Sequence, residues 1–340
     1  MEIWHIMVTA VNAIMPIILL IFFGYWLRRI NFLTDDFAKT ASKLVFRVCL
    51  SCSLFINIYR IEDVASIKWD LVIYAVAVVC LLFVLGLVAA VTATKDIRRR
   101  SAILHSIFRS NFAIIGLSLA SALGGAKAET VAAVVSAFVI PLFNILGVVA
   151  LTVFNKDPDE SKHGMKRIVT SVAKNPIIIG AIVGLICQGI RFLQSRFLGQ
   201  VVFSIKEDIP FVYTAVNDLK TILSPLALMV LGAQFKFSAV KGMFREIATG
   251  TLWRIVIAPL IAVGGAVMLS SYTDLLSCGV NEYPTLIALF GSPTAISTAI
   301  MAGEMGGDEQ LATQIVVWTS LGSILTIYLQ VCILMGMGLL

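Results

Sequence analysis

Ten stretches of about 20 predominantly apolar residues, the length a helix needs to cross a bilayer, run through this sequence of 340 residues. They fall near 7–27, 41–58, 70–93, 103–123, 129–154, 175–192, 217–235, 247–270, 284–302 and 311–338. Inside hydrocarbon every backbone N–H and C=O must find its partner within the protein, so runs of this kind are helices. Composition agrees. The chain is 59% hydrophobic and 14% charged, whereas a soluble domain has roughly 45–50% apolar and 25% charged residues. Too few polar side chains remain to cover a water-facing surface. Disorder, a collagen-like fibre and a disulfide scaffold are excluded as well. The prediction is an all-α polytopic membrane protein.

The net charge of +6 then reads as membrane orientation rather than nucleic-acid binding. Sixteen Lys and Arg residues fall in one set of alternate loops: Arg28, Arg29, Lys39, Lys43, Lys95, Arg98, Arg99, Arg100, Lys156, Lys162, Lys166, Arg167, Lys174, Lys236, Lys241 and Arg245. Six fall in the other: Arg60, Lys68, Lys127, Arg191, Arg196 and Lys206. The richer set belongs in the cytoplasm of a cell membrane, which leaves both termini outside. Residues 1–6 carry no Lys or Arg and no A-x-A site follows the first apolar run at a suitable distance, so that run is read as a retained helix. Cys49-x-x-Cys52 has a redox or metal spacing. It lies in membrane-like sequence without a histidine and reads as packing. No cofactor and no metal are expected.

Residues 155–174, with an Asp157-Pro158-Asp159 turn signal, form the expected cytoplasmic linker between 1–154 and 175–340. Five crossings in each half invert the second half relative to the first. Inverted repeats are the architecture of many secondary transporters. Asn12 to Pro16 has a weak counterpart in Asn175-Pro176, and the second span has one in the seventh.

Two spans break the apolar pattern at mid-membrane, where polar groups are costly unless they are paired or line a cavity. In the fourth, Arg109-Ser110-Asn111 follows Ile103 by six residues, a climb of about 9 Å. Asn111 can cap a new half-helix, and Gly116 lets another chain approach. In the ninth, Gly291-Ser292-Pro293-Thr294 puts a residue without an N–H at the centre. Ser292 is the expected N-cap and Pro293 the first residue of a second half-helix. Broken helices at matching places in two halves point to a binding site. Half-helix N-termini carry partial positive charge suited to a carboxylate. The alternatives are a simple kink at Pro293 and an interhelical hydrogen bond at Asn111.

Met15-Pro16 through Arg28-Arg29, Lys43-Leu-Val-Phe-Arg-Val-Cys-Leu, Asn111 to Gly116, Pro141-Leu-Phe-Asn144, Asn175-Pro176, Leu231-Gly232-Ala233 and Pro293-Thr-Ala-Ile carry a resemblance. Across nearly the whole chain the sequence resembles the auxin efflux carrier family, microbial relatives of the plant auxin exporters. The resemblance implies a bile acid symporter-like fold: ten helices as two inverted five-helix repeats, with helices four and nine broken and crossing. It also implies a scaffold and a transport domain in elevator-type motion, small organic anions as substrates, and a homodimer. The chain departs from the family pattern at Ser51 and Ser118, where proline is common, and at Ser297, where asparagine is often seen.

On this reading Ser110 and Asn111 bind a carboxylate from one half, and Ser292, Pro293, Thr294 and Ser297 from the other. Asn144 either joins them or bonds between helices. Ser51 either faces the same cavity or bonds back to its own turn. Arg109 supplies positive charge for the anion or pairs with Glu304 or Asp308. Those two carboxylates can instead hold a coupling proton or sodium ion, or be solvated. An enzyme is not expected, because no paired carboxylates or H-E-x-x-H motif lie within a span. A sodium-coupled carrier like the bile acid symporters, a channel and a ligand sensor are the alternatives.

Overall fold

The computed structural model describes residues 3–60, 68–154 and 174–340. The linker expected over 155–174 therefore lies outside the described residues, Lys174 apart. Among the described residues the regular elements are helical, and seven helices are long and apolar enough to cross a membrane. These are Asp35–Tyr59, Trp69–Ala93, Leu119–Val153, Pro176–Leu198, Pro210–Gln234, Phe244–Tyr272 and Glu309–Gly336. A further helix, Ile3–Arg29, comes first. The chain is a polytopic α-helical membrane protein.

Local chemistry starts several helices where polar sequence meets apolar. Thr34 accepts from the Phe37 amide, Asp96 from Arg98, Asn175 from Ile177 and Asp308 from Leu311. Each supplies a side-chain oxygen to a first-turn N–H that has no intrahelical partner. At Asn175 the following Pro176 occupies the first helical position, where a missing N–H costs nothing.

Small residues set the closest approaches, as expected where lipid provides no hydrophobic drive between helices. Ile3–Arg29 lies against Pro210–Gln234 through two glycines. A Cβ on Gly24 would fall 2.1 Å from the Met229 carbonyl oxygen, and one on Gly232 would fall 1.9 Å from that of Ile21. Asp35–Tyr59 packs on Pro176–Leu198 in the same way, with Gly180 against the Ser51 backbone and Gly184 against Ile58.

The fourth and ninth apolar segments are absent from the seven long helices because each is interrupted. Helix Ile97–Phe108 stops, and a π-helical turn at Phe112–Gly116 restarts it. The restarted helix continues to a kink at Gly125, whose φ of 70° is one that glycine adopts without strain. Helix Glu282–Leu286 with its π turn Ile287–Gly291 stops at Ser292, and Ser297–Glu304 follows. Both segments are buried on every face, continuously over 101–112 and 282–296. Unpaired backbone is tolerated at membrane depth only inside protein or beside a polar cavity. The interrupted segments are accordingly the centre of the molecule.

Candidate functional site

The two interruptions meet. Ser110 and Thr294 form an isolated antiparallel bridge. The Asn111 amide donates to the Pro293 carbonyl at 2.8 Å, and the Ala295 amide donates to the Arg109 carbonyl at 3.3 Å. Each break thus gives the other a main-chain hydrogen bond. Beyond the bridge the helices restart. Ile114 and Ile115 donate to Asn111 on one side, Thr298 to Ala295 and Ala299 to Ile296 on the other. The amides of Phe112 and Ala113, and those of Ile296 and Ser297, precede these first bonds. They are the orphan donors of a helix start and carry the positive end of its dipole.

This geometry corrects the expected cap. Ser292 closes the preceding half-helix instead of opening the next, with extended backbone and a hydroxyl bonded back to Ala288. Thr294 is buried and committed: its hydroxyl donates to Ser106 and its amide to the Thr319 hydroxyl. Pro293 contributes a carbonyl to the bridge. Pairing with a break 182 positions away, invisible to local rules, displaced the new helix start to Ala295–Ser297.

A cavity opens beside the bridge. The crossover contributes Arg109, Ser110, Asn111, Ala113, Ile114, Ala295, Ile296 and Ser297. Helix Leu119–Val153 adds Ile140, Phe143 and Asn144. Leu50, Ser53, Leu54 and Asn57 face it from Asp35–Tyr59, and Leu223, Ser224 and Ala227 from Pro210–Gln234. Its volume is about 60 Å³, room for a few waters and far below the roughly 300–1,000 Å³ of sites that enclose a drug-sized ligand. The space holds a group of a few heavy atoms; a larger molecule needs the walls to part.

Polar groups converge here. Ser110 and Asn111 are buried, and among the described residues neither the Ser110 hydroxyl nor the Asn111 Nδ2 has a hydrogen-bond partner. Buried polar groups are nearly always paired, so two adjacent exceptions on one cavity wall call for an acceptor. Arg109 is buried with them. Its Nη2 donates to Asn144 Oδ1 at 2.8 Å, and its Nη1 contacts Met301 Sδ at 2.8 Å and His105 Nε2 at 3.1 Å. Asn144 in turn donates to the Ile140 carbonyl at 2.8 Å. It therefore makes the interhelical bond and orients the guanidinium at the same time.

Other expected roles are corrected. Arg109 pairs with neither Glu304 nor Asp308. Asp308 caps Leu311 and sits 3.4 Å from Arg99, because the 97–100 turn folds against it through the bond from the Asp308 amide to the Arg98 carbonyl. Ser51 does not line the cavity. Its hydroxyl donates to the Arg47 carbonyl at 2.9 Å, and its backbone faces Gly180. Ser53 and Asn57, one turn apart on the neighbouring stripe, take the position expected for it. Gly116 accommodates the ring of Phe112, four residues back, rather than a second chain.

Arg254 escaped the sequence reading altogether. It is fully buried, and among the described residues it donates to main-chain carbonyls alone. Nε reaches Ser292 at 3.1 Å, Nη1 reaches Ile107 at 3.1 Å and Phe108 at 3.5 Å, and Nη2 reaches Leu289 at 3.4 Å and Phe290. One guanidinium thus gathers the C-terminal ends of both half-helices and offsets their partial negative charge. The positive N-terminal ends are left facing the cavity. The signal was an arginine ten residues into an apolar helix that starts at Phe244, about 15 Å along its axis.

A sequence profile of the family described as membrane transport protein matches residues 9–331. A search of curated proteins finds no match.

Proposed function

The chain belongs to the auxin efflux carrier family of membrane transport proteins, and from that premise we propose a secondary carrier of small organic anions that binds carboxylate at the crossover. The observation that carries this reading is the unpartnered pair, Ser110 Oγ and Asn111 Nδ2, on the wall that also holds Arg109 and two helix N-termini. Donors, dipoles and one cation all favour an anion there. Ser297, Asn144 and the unforeseen Ser53, Asn57 and Ser224 complete the polar wall.

The proposal extends to the architecture. The seven long helices, Ile3–Arg29 and the two interrupted segments make ten crossings, five before residue 155 and five after 174, and the second five are inverted. Ile3–Arg29, Asp35–Tyr59, Pro176–Leu198 and Pro210–Gln234 pack on one another and serve as the scaffold. The crossover segments with Trp69–Ala93, Leu119–Val153, Phe244–Tyr272 and Glu309–Gly336 move as the transport domain. The cavity lies between the two groups, so relative motion carries the anion across. Both termini face outside the cell membrane, and the carrier works as a homodimer. Glu304 or another group supplies any proton or sodium coupling; Asp308, held by its cap and by Arg99, is unsuited to it.

A thermal-shift screen of mono- and dicarboxylates, with sodium and pH varied, tests the reading, because a ligand of the folded state raises the midpoint. Stabilisation by some carboxylate that Asn111→Ala abolishes and Ser136→Ala retains is expected. Equal shifts in both variants would count against the site. A sodium requirement would favour the bile acid symporter-like mode.

A further inference from the structure

Away from the crossover cavity, the end of Trp69–Ala93 and the start of Phe244–Tyr272 form a groove of about 290 Å³. Leu85, Val88, Ala89 and Trp253 give it apolar walls, and Arg245 stands at its mouth. Val88 and Arg245 are exposed, so the groove is open at the surface of the molecule. From Leu85 to Thr92 the wall is seven residues long, about 10 Å of acyl-chain contact.

Bonds to main-chain carbonyls close together in sequence hold Arg245, at the mouth, and Arg100. Arg245 Nη2 donates to the Thr92 carbonyl at 3.1 Å. Arg100 Nε donates to the Thr94 carbonyl at 2.8 Å, two residues along the same strand of chain. Both guanidinium groups are thereby held at one helix C-terminus with nitrogens to spare. The nearby carboxylates are already taken, since Asp96 and Glu246 both pair with Arg99. Among the described residues neither Arg100 nor Arg245 forms an ion pair.

We propose that this groove binds one anionic phospholipid, its phosphate on Arg100 and Arg245 and one acyl chain along Val88 and Trp253. Arginine matches phosphate geometry with several donors at once, and basic pockets between helices at the membrane edge suit acidic headgroups. The indole of Trp253 is an amphipathic side chain of the kind that settles at the interface. A zwitterionic lipid offers the same chain without the net charge, and free phosphate offers the charge without the chain. The site requires both.

The full-length protein in neutral detergent is titrated with phosphatidylglycerol, phosphatidylcholine or inorganic phosphate, and unfolding midpoint and bound lipid by native mass spectrometry are read. Phosphatidylglycerol is expected to bind and raise the midpoint, and the other two to do neither. Arg100→Gln and Arg245→Gln each raise the half-saturating phosphatidylglycerol concentration by about fivefold. Val88→Trp, which fills the groove and leaves both arginines in place, weakens binding as well and guards against misfolding of the charge variants. Equal binding of phosphatidylcholine, an equal effect of phosphate, or wild-type affinity in the variants would overturn the proposal.

Discussion

The backbone amide of Asn111 donates to the carbonyl of Pro293 at 2.8 Å, so main-chain bonds hold the two helix breaks together and the Asn111 side chain is left over. Fold and binding separate at this residue. Asn111→Ala and Ser110→Ala remove buried polar groups that have no partner among the described residues, and leaving such groups unpaired is itself unfavourable. Both variants should unfold at the wild-type midpoint or above it, by up to about 1 kcal/mol, while losing the carboxylate response. Chemical or thermal denaturation in detergent checks the first half; a large loss of stability would show that the side chains hold the crossover.

Arg254 is the opposite case. Removing it strands carbonyls of Ile107, Phe108, Leu289, Phe290 and Ser292 in a buried site. Hydrogen bonds to a charged group contribute about 1.5–3 kcal/mol each, so Arg254→Gln should destabilise by at least about 3 kcal/mol. Arg254→Lys should not rescue it, since an ammonium lacks the planar fork that reaches both half-helices. Wild-type unfolding of either variant would contradict the clamp.

Gly232 and Gly24 admit no Cβ where Ile3–Arg29 meets Pro210–Gln234. Alanine at either position should cost about 1–3 kcal/mol by overpacking, read from unfolding midpoints. Gly189, where an added Cβ would meet nothing within 4 Å, is the control, and Gly189→Ala should be neutral or stabilising.

Cys278 sits between Asp70, which accepts from the Ser277 amide, and Glu282, which accepts from the Gly279 amide. Burial, followed by the charges of Glu282 and Asp70, pushes its thiol up to about 12. At pH 8 the reactive thiolate should be about a thousandfold scarcer than for a thiol titrating near 9. Alkylation of a variant that retains only this cysteine should be correspondingly slow and should accelerate as pH rises. Rapid labelling at pH 8 would contradict this environment.

The helices were legible because bilayer thickness sets their length, and the breaks because Arg109-Ser110-Asn111 and Pro293 interrupt apolar runs at mid-span. The partner of each break was not legible in detail. Ser292 obeys the local rule for an N-cap, yet pairing of Thr294 with Ser110 makes it the end of the preceding helix. Arg99 reaches Asp308 across 209 positions, so a loop poor in basic residues is not poor in positive charge. Ser53 and Asn57 carried a helical spacing, but nothing in one helix says which of its stripes meets the cavity. Arg254 was visible as a lone cation deep in an apolar helix, a signal as strong as that of Arg109.

The most direct measurement is counterflow in proteoliposomes, with the carboxylate that stabilises the protein trapped inside and a trace of its labelled form outside. Transient accumulation of label by the wild type, and none by Asn111→Ala at equal folded protein, is the predicted result. Accumulation by Asn111→Ala equal to that of the wild type would place the anion elsewhere, and no accumulation by either would contradict carboxylate transport.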